Sequence, residues 1–182
     1  MIEVRFHGRG GQGAVMAVKM LTSALLKDGL YSQAIPAFGI ERRGTPVVAS
    51  LRIDRRPIRL RCQVYNPEHI VIFDPTLLKH PQTLSGLKPG GTLLVNCPGE
   101  APDFSFPPDV QTFVLDISRI AWEEGLIAGG YPMINTAILG AFSRATDIVS
   151  LESIEKTVAE YFPGKVEANL RAIHVAYEKV TE

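Results

Sequence analysis

Four glycines in six positions, Gly8, Gly10, Gly11 and Gly13, interleaved with Arg9 and Gln12, form the first stretch whose residue types could do chemistry. Ile2, Val4 and Phe6 alternate like a strand before them, and an apolar helical pattern runs over residues 14–26 after them. A strand, a glycine turn and a helix in that order leave backbone N–H groups unpaired at the positive end of a helix dipole, which favours an anion. Gly8, Gly10 and Gly13 also match G-x-G-x-x-G, the dinucleotide fingerprint, which needs an acid near the end of the second strand to hold a ribose hydroxyl. The second strand, residues 31–35, reads Tyr-Ser-Gln-Ala-Ile without one, and Asp28 comes too early, at the helix end. The alternative is a tight strand-to-helix turn without a ligand.

The second candidate lies in the loop bracketed by Pro36 and Pro46, where Glu41, Arg42, Arg43 and Gly44 follow one another. Seven arginines fall between residues 42 and 61: Arg42, Arg43, Arg52, Arg55, Arg56, Arg59 and Arg61, against the single acid Asp54. Guanidinium groups pair bidentately with phosphate and carboxylate, so the stretch reads either as a surface for anions or an acidic partner, or as a solvated sheet face. Glu41 among arginines reads as an ion-paired loop organiser rather than a general base. His7 reads as a strand-end residue with a satisfied hydrogen bond. The four histidines, His7, His69, His80 and His174, show no H-x-x-x-H spacing, and neither a G-x-S-x-G elbow nor a Walker A sequence is present. Two distant cysteines, Cys62 and Cys97, cannot supply the four thiolates of an iron–sulfur cluster, and they read as reduced thiols of a cytoplasmic protein.

The elements that must position these residues follow from period and punctuation. The helix of residues 14–28 is apolar over most of its surface, which predicts cover on both sides, and Gly29 stops it. Residues 47–53 and 58–64 alternate with period two about a turn at 54–57, which predicts a hairpin with arginines on one face. Strands are predicted at 69–74, 92–96 and 110–116, separated by a proline-rich loop at 97–109. Helices are predicted at 117–126, with Trp122 inward, at 132–146 with Pro132 in the first turn, and at 151–161 and 165–180 about Pro163-Gly164. The alternation implies a single α/β domain over residues 1–182: a three-layer α/β/α arrangement with a mixed, mostly parallel sheet that includes an antiparallel hairpin. The formal net charge is zero, so no global field invites nucleic acid or a membrane. Charge is segregated, however: residues 1–99 carry 13 Lys/Arg against 6 Asp/Glu, and residues 100–182 carry 6 against 13, which implies a directional docking surface. No apolar run reaches the ~18 residues of a membrane span, and the chain opens on a strand rather than a signal peptide.

Taken together, His7-Gly8-Arg9-Gly10-Gly11-Gln12-Gly13-Ala14 and the run from Phe38-Gly39-Ile40-Glu41-Arg42-Arg43 to Gly44-Thr45-Pro46-Val47 carry a resemblance. With Ile58-Arg59-Leu60-Arg61, Asp74-Pro75, Asn135-Thr136-Ala137-Ile138-Leu139-Gly140-Ala141 and Val166-Glu167-Ala168-Asn169, they resemble the gamma subunit of 2-oxoacid:ferredoxin oxidoreductases, of the pyruvate/2-ketoisovalerate (pyruvate synthase) type. Ile40 stands where proline is commoner in that family. The resemblance implies CoA-dependent oxidative decarboxylation of a 2-oxoacid by a multisubunit complex, with electrons passed to ferredoxin. Thiamine diphosphate and [4Fe–4S] clusters would sit on partners of alpha, beta and delta type, and this chain would serve assembly and the approach of coenzyme A. It assigns no catalytic residue and no metal to this chain. The candidates it carries over for ligand or interface contact are Gly8, Arg9, Gly10, Gly11, Gln12, Gly13, Glu41, Arg42, Arg43 and Gly44. The competing reading is a free-standing nucleotide-binding module or NAD(P) oxidoreductase.

Overall fold

The computed structural model describes residues 1–36, 43–98 and 106–180. Six strands form one sheet in the order β2-β3-β1-β4-β5-β6. They are β1 (Ile2–Arg9), β2 (Tyr31–Pro36), β3 (Pro46–Asp54), β4 (His69–Ile72), β5 (Thr92–Asn96) and β6 (Gln111–Leu115). β1, β4, β5 and β6 run parallel, whereas β3 is antiparallel to both β1 and β2. A short ribbon, β7 (Ile127–Ala128) and β8 (Tyr131–Pro132), stands apart from the sheet. The helices are α1 (Ala14–Lys27), α2 (Ile117–Glu123), α3 (Ala137–Thr146), α4 (Leu151–Tyr161) and α5 (Val166–Glu178). None is long and apolar enough to cross a membrane.

Alternation along the strands sorts the side chains into two unlike faces. Val4, Phe6, Ala49, Leu51, Ile53, Val71, Phe73 and Leu94 enter one core together with residues from all five helices. The opposite face presents Ile70, Ile72, Leu93 and Val95, covered by Leu78, Leu84, Leu87, Phe106 and Val110. The layer on that side is made of two 3₁₀ turns, Pro75–Lys79 and Pro81–Thr83, and irregular chain, rather than of α-helices.

The α/β class, the mostly parallel sheet and its antiparallel part are as expected, but the predicted partner of β3 is not. Residues 58–64 form no strand, and β3 instead pairs with β1 from Ile2↔Ile53 to Arg9↔Pro46 and with β2 from Tyr31↔Asp54 to Pro36↔Ala49. The alternation in residues 47–53 is that of a strand; that in 58–64 has no counterpart in burial, since Leu60 and Cys62 are exposed and Val64 is buried. Arg52 is no surface arginine: it is 1% exposed, and its Nε donates to Glu3 Oε1 at 2.7 Å. Its other nitrogens donate to the carbonyls of Cys62 at 2.9 Å and Gln63 at 3.0 Å, which ties the irregular segment to the sheet. Arg55, Arg56, Arg59 and Arg61 are exposed on that segment.

Two helical expectations also change. Pro132 belongs to β8, and α3 begins five residues later at Ala137. Trp122 points outward, 56% exposed. α1 is packed between the sheet and α4, with Ala17, Val18, Met20, Leu21, Ala24 and Leu25 buried, but a strip that includes Leu26 stands in solvent. The end of α1 is pinned to α4 by Asp28, whose carboxylate accepts from the Ser150 amide and hydroxyl at 2.7 Å each and from the Ser153 hydroxyl at 2.5 Å.

Candidate functional site

The parallel strands deliver their C-terminal ends to one edge of the sheet, where open α/β folds place ligands. At that edge β1 ends in the glycine loop. The antiparallel ladder with β3 continues into it, Gly10 N–H donating to Thr45 O at 2.9 Å and Gly44 N–H to Gly10 O at 3.0 Å. Gln12 closes the turn on itself: its side-chain oxygen accepts from the Arg9 amide at 2.7 Å and its own amide donates to Arg9 O at 3.0 Å. The expected nest over residues 10–13 is therefore narrower than the sequence implied, because the amides of Gly10 and Gln12 are already committed. Those of Gly11 and Gly13 have no acceptor among the described residues. Gly11 (φ 95°) and Gly13 (φ 84°) both lie in the left-handed region, and no side chain caps the start of α1. The donors of its first turn are left for an anion.

Arg9 is a brace rather than a free cation. Its Nε donates to Asp74 Oδ2 at 2.5 Å, Nη1 to Gly44 O at 3.0 Å and Nη2 to Thr76 Oγ1 at 2.7 Å, joining the ends of β1 and β4 to the loop before β3. Burial would raise the Asp74 carboxyl, but the Thr76 hydroxyl and amide and the Arg9 guanidinium outweigh it and hold its pKa below the usual carboxylate range.

The loop forms one wall of an open cleft of about 900 Å³. Gly11, Gly13, Ala14, Val15, Met16 and Lys19 line it from the loop and α1, Arg43 and Val47 from the approach to β3, and Ala128, Gly129, Met133, Asn135 and Phe162 from the later half of the chain. Among the described residues, Lys19 and Arg43 form no ion pair and no carboxylate lines the cleft. The Arg43 guanidinium lies 4.6 Å from the centroid of the Tyr131 ring, a cation–π contact that carries the charge across to the β7–β8 ribbon. Asn135 approaches Gly13 so closely that a Cβ there would sit 2.8 Å from the Asn135 Cβ. The arrangement can bind an anion that also has an apolar part.

Gly8, Arg9, Gly10, Gly11, Gln12, Gly13, Arg43 and Gly44 are thus brought together, with Gly8 and Gln12 shaping the turn rather than lining the cleft. Glu41 and Arg42 lie outside the described residues. His7 is not part of this site. It is buried on the opposite face, its Nε2 has no partner where a satisfied hydrogen bond was expected, and burial followed by the nearby Arg5 charge lowers its pKa to about 4. Lys19, Met133, Asn135 and Phe162 were not foreseen. Only Asn135 carried a signal, because the run from Asn135 to Ala141 is one of those on which the family resemblance rests. Among the described residues no group of three or more His, Cys, Asp or Glu side chains could hold a metal ion.

Comparison with known proteins accords with this geometry. The family model described as pyruvate ferredoxin/flavodoxin oxidoreductase matches residues 3–179. The chain is 48% identical to pyruvate synthase subunit PorC of Methanothermobacter thermautotrophicus over 99% of this chain and 96% of that one. It is 45% identical to the pyruvate/ketoisovalerate oxidoreductases common subunit gamma of Pyrococcus furiosus, over 98% and 97%. The crystal structure of pyruvate oxidoreductase subunit PORC from Thermotoga maritima superimposes with a TM-score of 0.80 at 38% identity, covering 97% of this chain and 95% of that one. The chain belongs to the pyruvate ferredoxin/flavodoxin oxidoreductase family and matches its gamma-type subunits over nearly their whole length.

Proposed function

We propose that this chain is the gamma-type subunit of a 2-oxoacid:ferredoxin oxidoreductase complex acting on pyruvate or 2-ketoisovalerate, and that its glycine-lined cleft receives the phosphate-bearing end of coenzyme A. The observation that carries the second part is the cleft itself: a helix start with no side-chain cap, two left-handed glycines, and two cations, Lys19 and Arg43, without an ion pair among the described residues, with Met16, Met133 and Phe162 as apolar walls. Phosphates suit the helix start and the cations, and a thioether or aromatic wall suits an adenine or pantetheine portion. In this reading thiamine diphosphate and [4Fe–4S] clusters reside on alpha-, beta- and delta-type partners in the cytoplasm, ferredoxin takes the electrons, and this chain positions CoA for acyl transfer. Two cysteines in the whole sequence cannot ligate a four-thiolate cluster.

The dinucleotide alternative conflicts with the topology. In a dinucleotide fold the strand after the first helix lies parallel beside β1 and ends in the ribose acid. Here β2 is an antiparallel edge strand separated from β1 by β3, and it contains no acid.

The test is reconstitution of the complex with Arg43→Ala or Lys19→Ala. Each lost charge-assisted contact to phosphate is expected to cost about 1.5 kcal/mol, a rise of roughly tenfold in the KM for CoA, with the KM for the 2-oxoacid unchanged. An unaltered KM for CoA in both variants would refute the assignment of the cleft.

A further inference from the structure

A second cavity, of about 460 Å³, opens on the face of the sheet turned away from all five helices. β1 and β3 floor it with Arg5, His7 and Ser50, and Val48, Val64 and Leu77 supply apolar wall. Arg5 is 9% exposed, and its Nη2 donates to two neutral acceptors, the carbonyls of Thr83 at 3.1 Å and Ser85 at 2.6 Å. Among the described residues its Nε has no partner and no carboxylate pairs with it. Beside it His7, 7% exposed, leaves Nε2 unpartnered as well.

Arg52 on the same face shows how this fold buries a guanidinium when no ligand is involved: Glu3 supplies the counter-charge and two carbonyls take the remaining donors. Arg5 has only half of that arrangement. A buried guanidinium without a carboxylate among the described residues is costly, and an anion would supply the counter-charge. The cavity walls narrow its chemistry. One guanidinium beside apolar surface, with no carboxylate among the described lining residues, suits one negative charge attached to an aliphatic body better than a polyanion. At neutral pH the His7 ring is uncharged, so its Nε2 can carry a proton and donate to the same ligand.

We propose that this cavity binds a short-chain aliphatic carboxylate, with Arg5 as counter-ion, His7 as the second polar contact, and Val48, Val64 and Leu77 around the alkyl group. The site lies on the other side of the sheet from the glycine cleft, and it stands whether or not CoA occupies that cleft. Arg5 Nε and His7 Nε2 are shut off from water in this structure, so their contact with the ligand requires these two side chains to turn toward the cavity.

The experiment is an NMR titration of the full chain with isovalerate, with isovaleramide as the neutral isostere and inorganic phosphate as the polyanion. Isovalerate is expected to shift the His7 ring and Val64 signals saturably and to leave Gly11 and Gly13 unmoved. Isovaleramide, phosphate and the Arg5→Met variant are each expected to bind about tenfold more weakly or worse. Val48→Phe keeps Arg5 but fills the cavity from a half-buried position, so it is expected to abolish binding even if Arg5→Met fails to fold. The proposal is overturned if isovalerate leaves His7 unmoved, if amide and acid bind alike, if the shifts fall on Gly11 and Gly13, or if Val48→Phe binds as the parent does.

Discussion

Gly13→Ala separates two demands that the glycine loop makes at a single atom. The first is conformational: Gly13 has φ 84°, and an L-residue in the left-handed region costs roughly 1–2 kcal/mol. The second is steric: the new methyl carbon would lie 2.8 Å from Asn135 Cβ, where ordinary contact begins at 3.4 Å. Asn135 would have to retreat by roughly 0.6 Å, and overpacking of this kind costs about 1–3 kcal/mol more. Gly29→Ala isolates the first demand, since Gly29 has φ 76° with nothing within 4 Å of its would-be Cβ. Urea unfolding of the two variants is expected to show a loss of about 1–2 kcal/mol for Gly29→Ala and about 2–5 kcal/mol for Gly13→Ala. The loss in the second case is a large share of the ~5–15 kcal/mol typical of a domain. In the reconstituted complex Gly13→Ala should also raise the KM for CoA, because Asn135 lines the cleft, while Gly29→Ala should not. Equal destabilisation by the two substitutions, with CoA kinetics unchanged, would show that the approach of Asn135 to the loop has no energetic or functional weight.

Two further outcomes are expected. Glu3→Ala leaves the Arg52 guanidinium buried without its carboxylate, so denaturant unfolding should show a loss of about 3–5 kcal/mol, and Glu3→Ala with Arg52→Met should recover part of it. His7, held down to about 4 by burial and by Arg5, binds its proton less readily folded than unfolded, where the ordinary value is 6.5. Its effect on stability is therefore absent above pH 6.5 and grows as pH falls toward about 4, amounting to about 3 kcal/mol over that window. His7→Gln should flatten the stability profile between pH 6.5 and 5, and an unchanged slope would count against the shift.

What could be read from the sequence was whatever depends on neighbours along the chain. The strand–glycine–helix order at residues 2–26 announced the loop and its anion chemistry, and α4 falls on the residues its apolar spacing marked, Leu151–Tyr161. What failed depended on partners distant in sequence. Period two in residues 58–64 looked like a strand, but alternation does not say whether a ladder partner is free, and β3 already had β1 on one side and β2 on the other. Arg52 looked like its exposed neighbours Arg55 and Arg56, because nothing local announces that Glu3, 49 residues earlier, waits beneath it. On the far wall of the cleft, Met133 and Phe162 were illegible for the same reason: they meet the glycine loop only once α3 and α4 have packed.

The one-sided placement of the helices gives the two halves of this protein unequal resistance to opening. Detaching the helical layer would expose a core drawn from every helix, but lifting the irregular layer bares little more than Ile70, Ile72, Leu93, Val95 and Cys97. The chain between β3 and β4 has no ladder or helix of its own to hold its amides. Hydrogen exchange should therefore proceed there through a sub-global excursion in which the sheet and its helices remain intact. Such an excursion would open the second cavity on its Gln63–Tyr65 side, while Arg5 stays held by the carbonyls of Thr83 and Ser85.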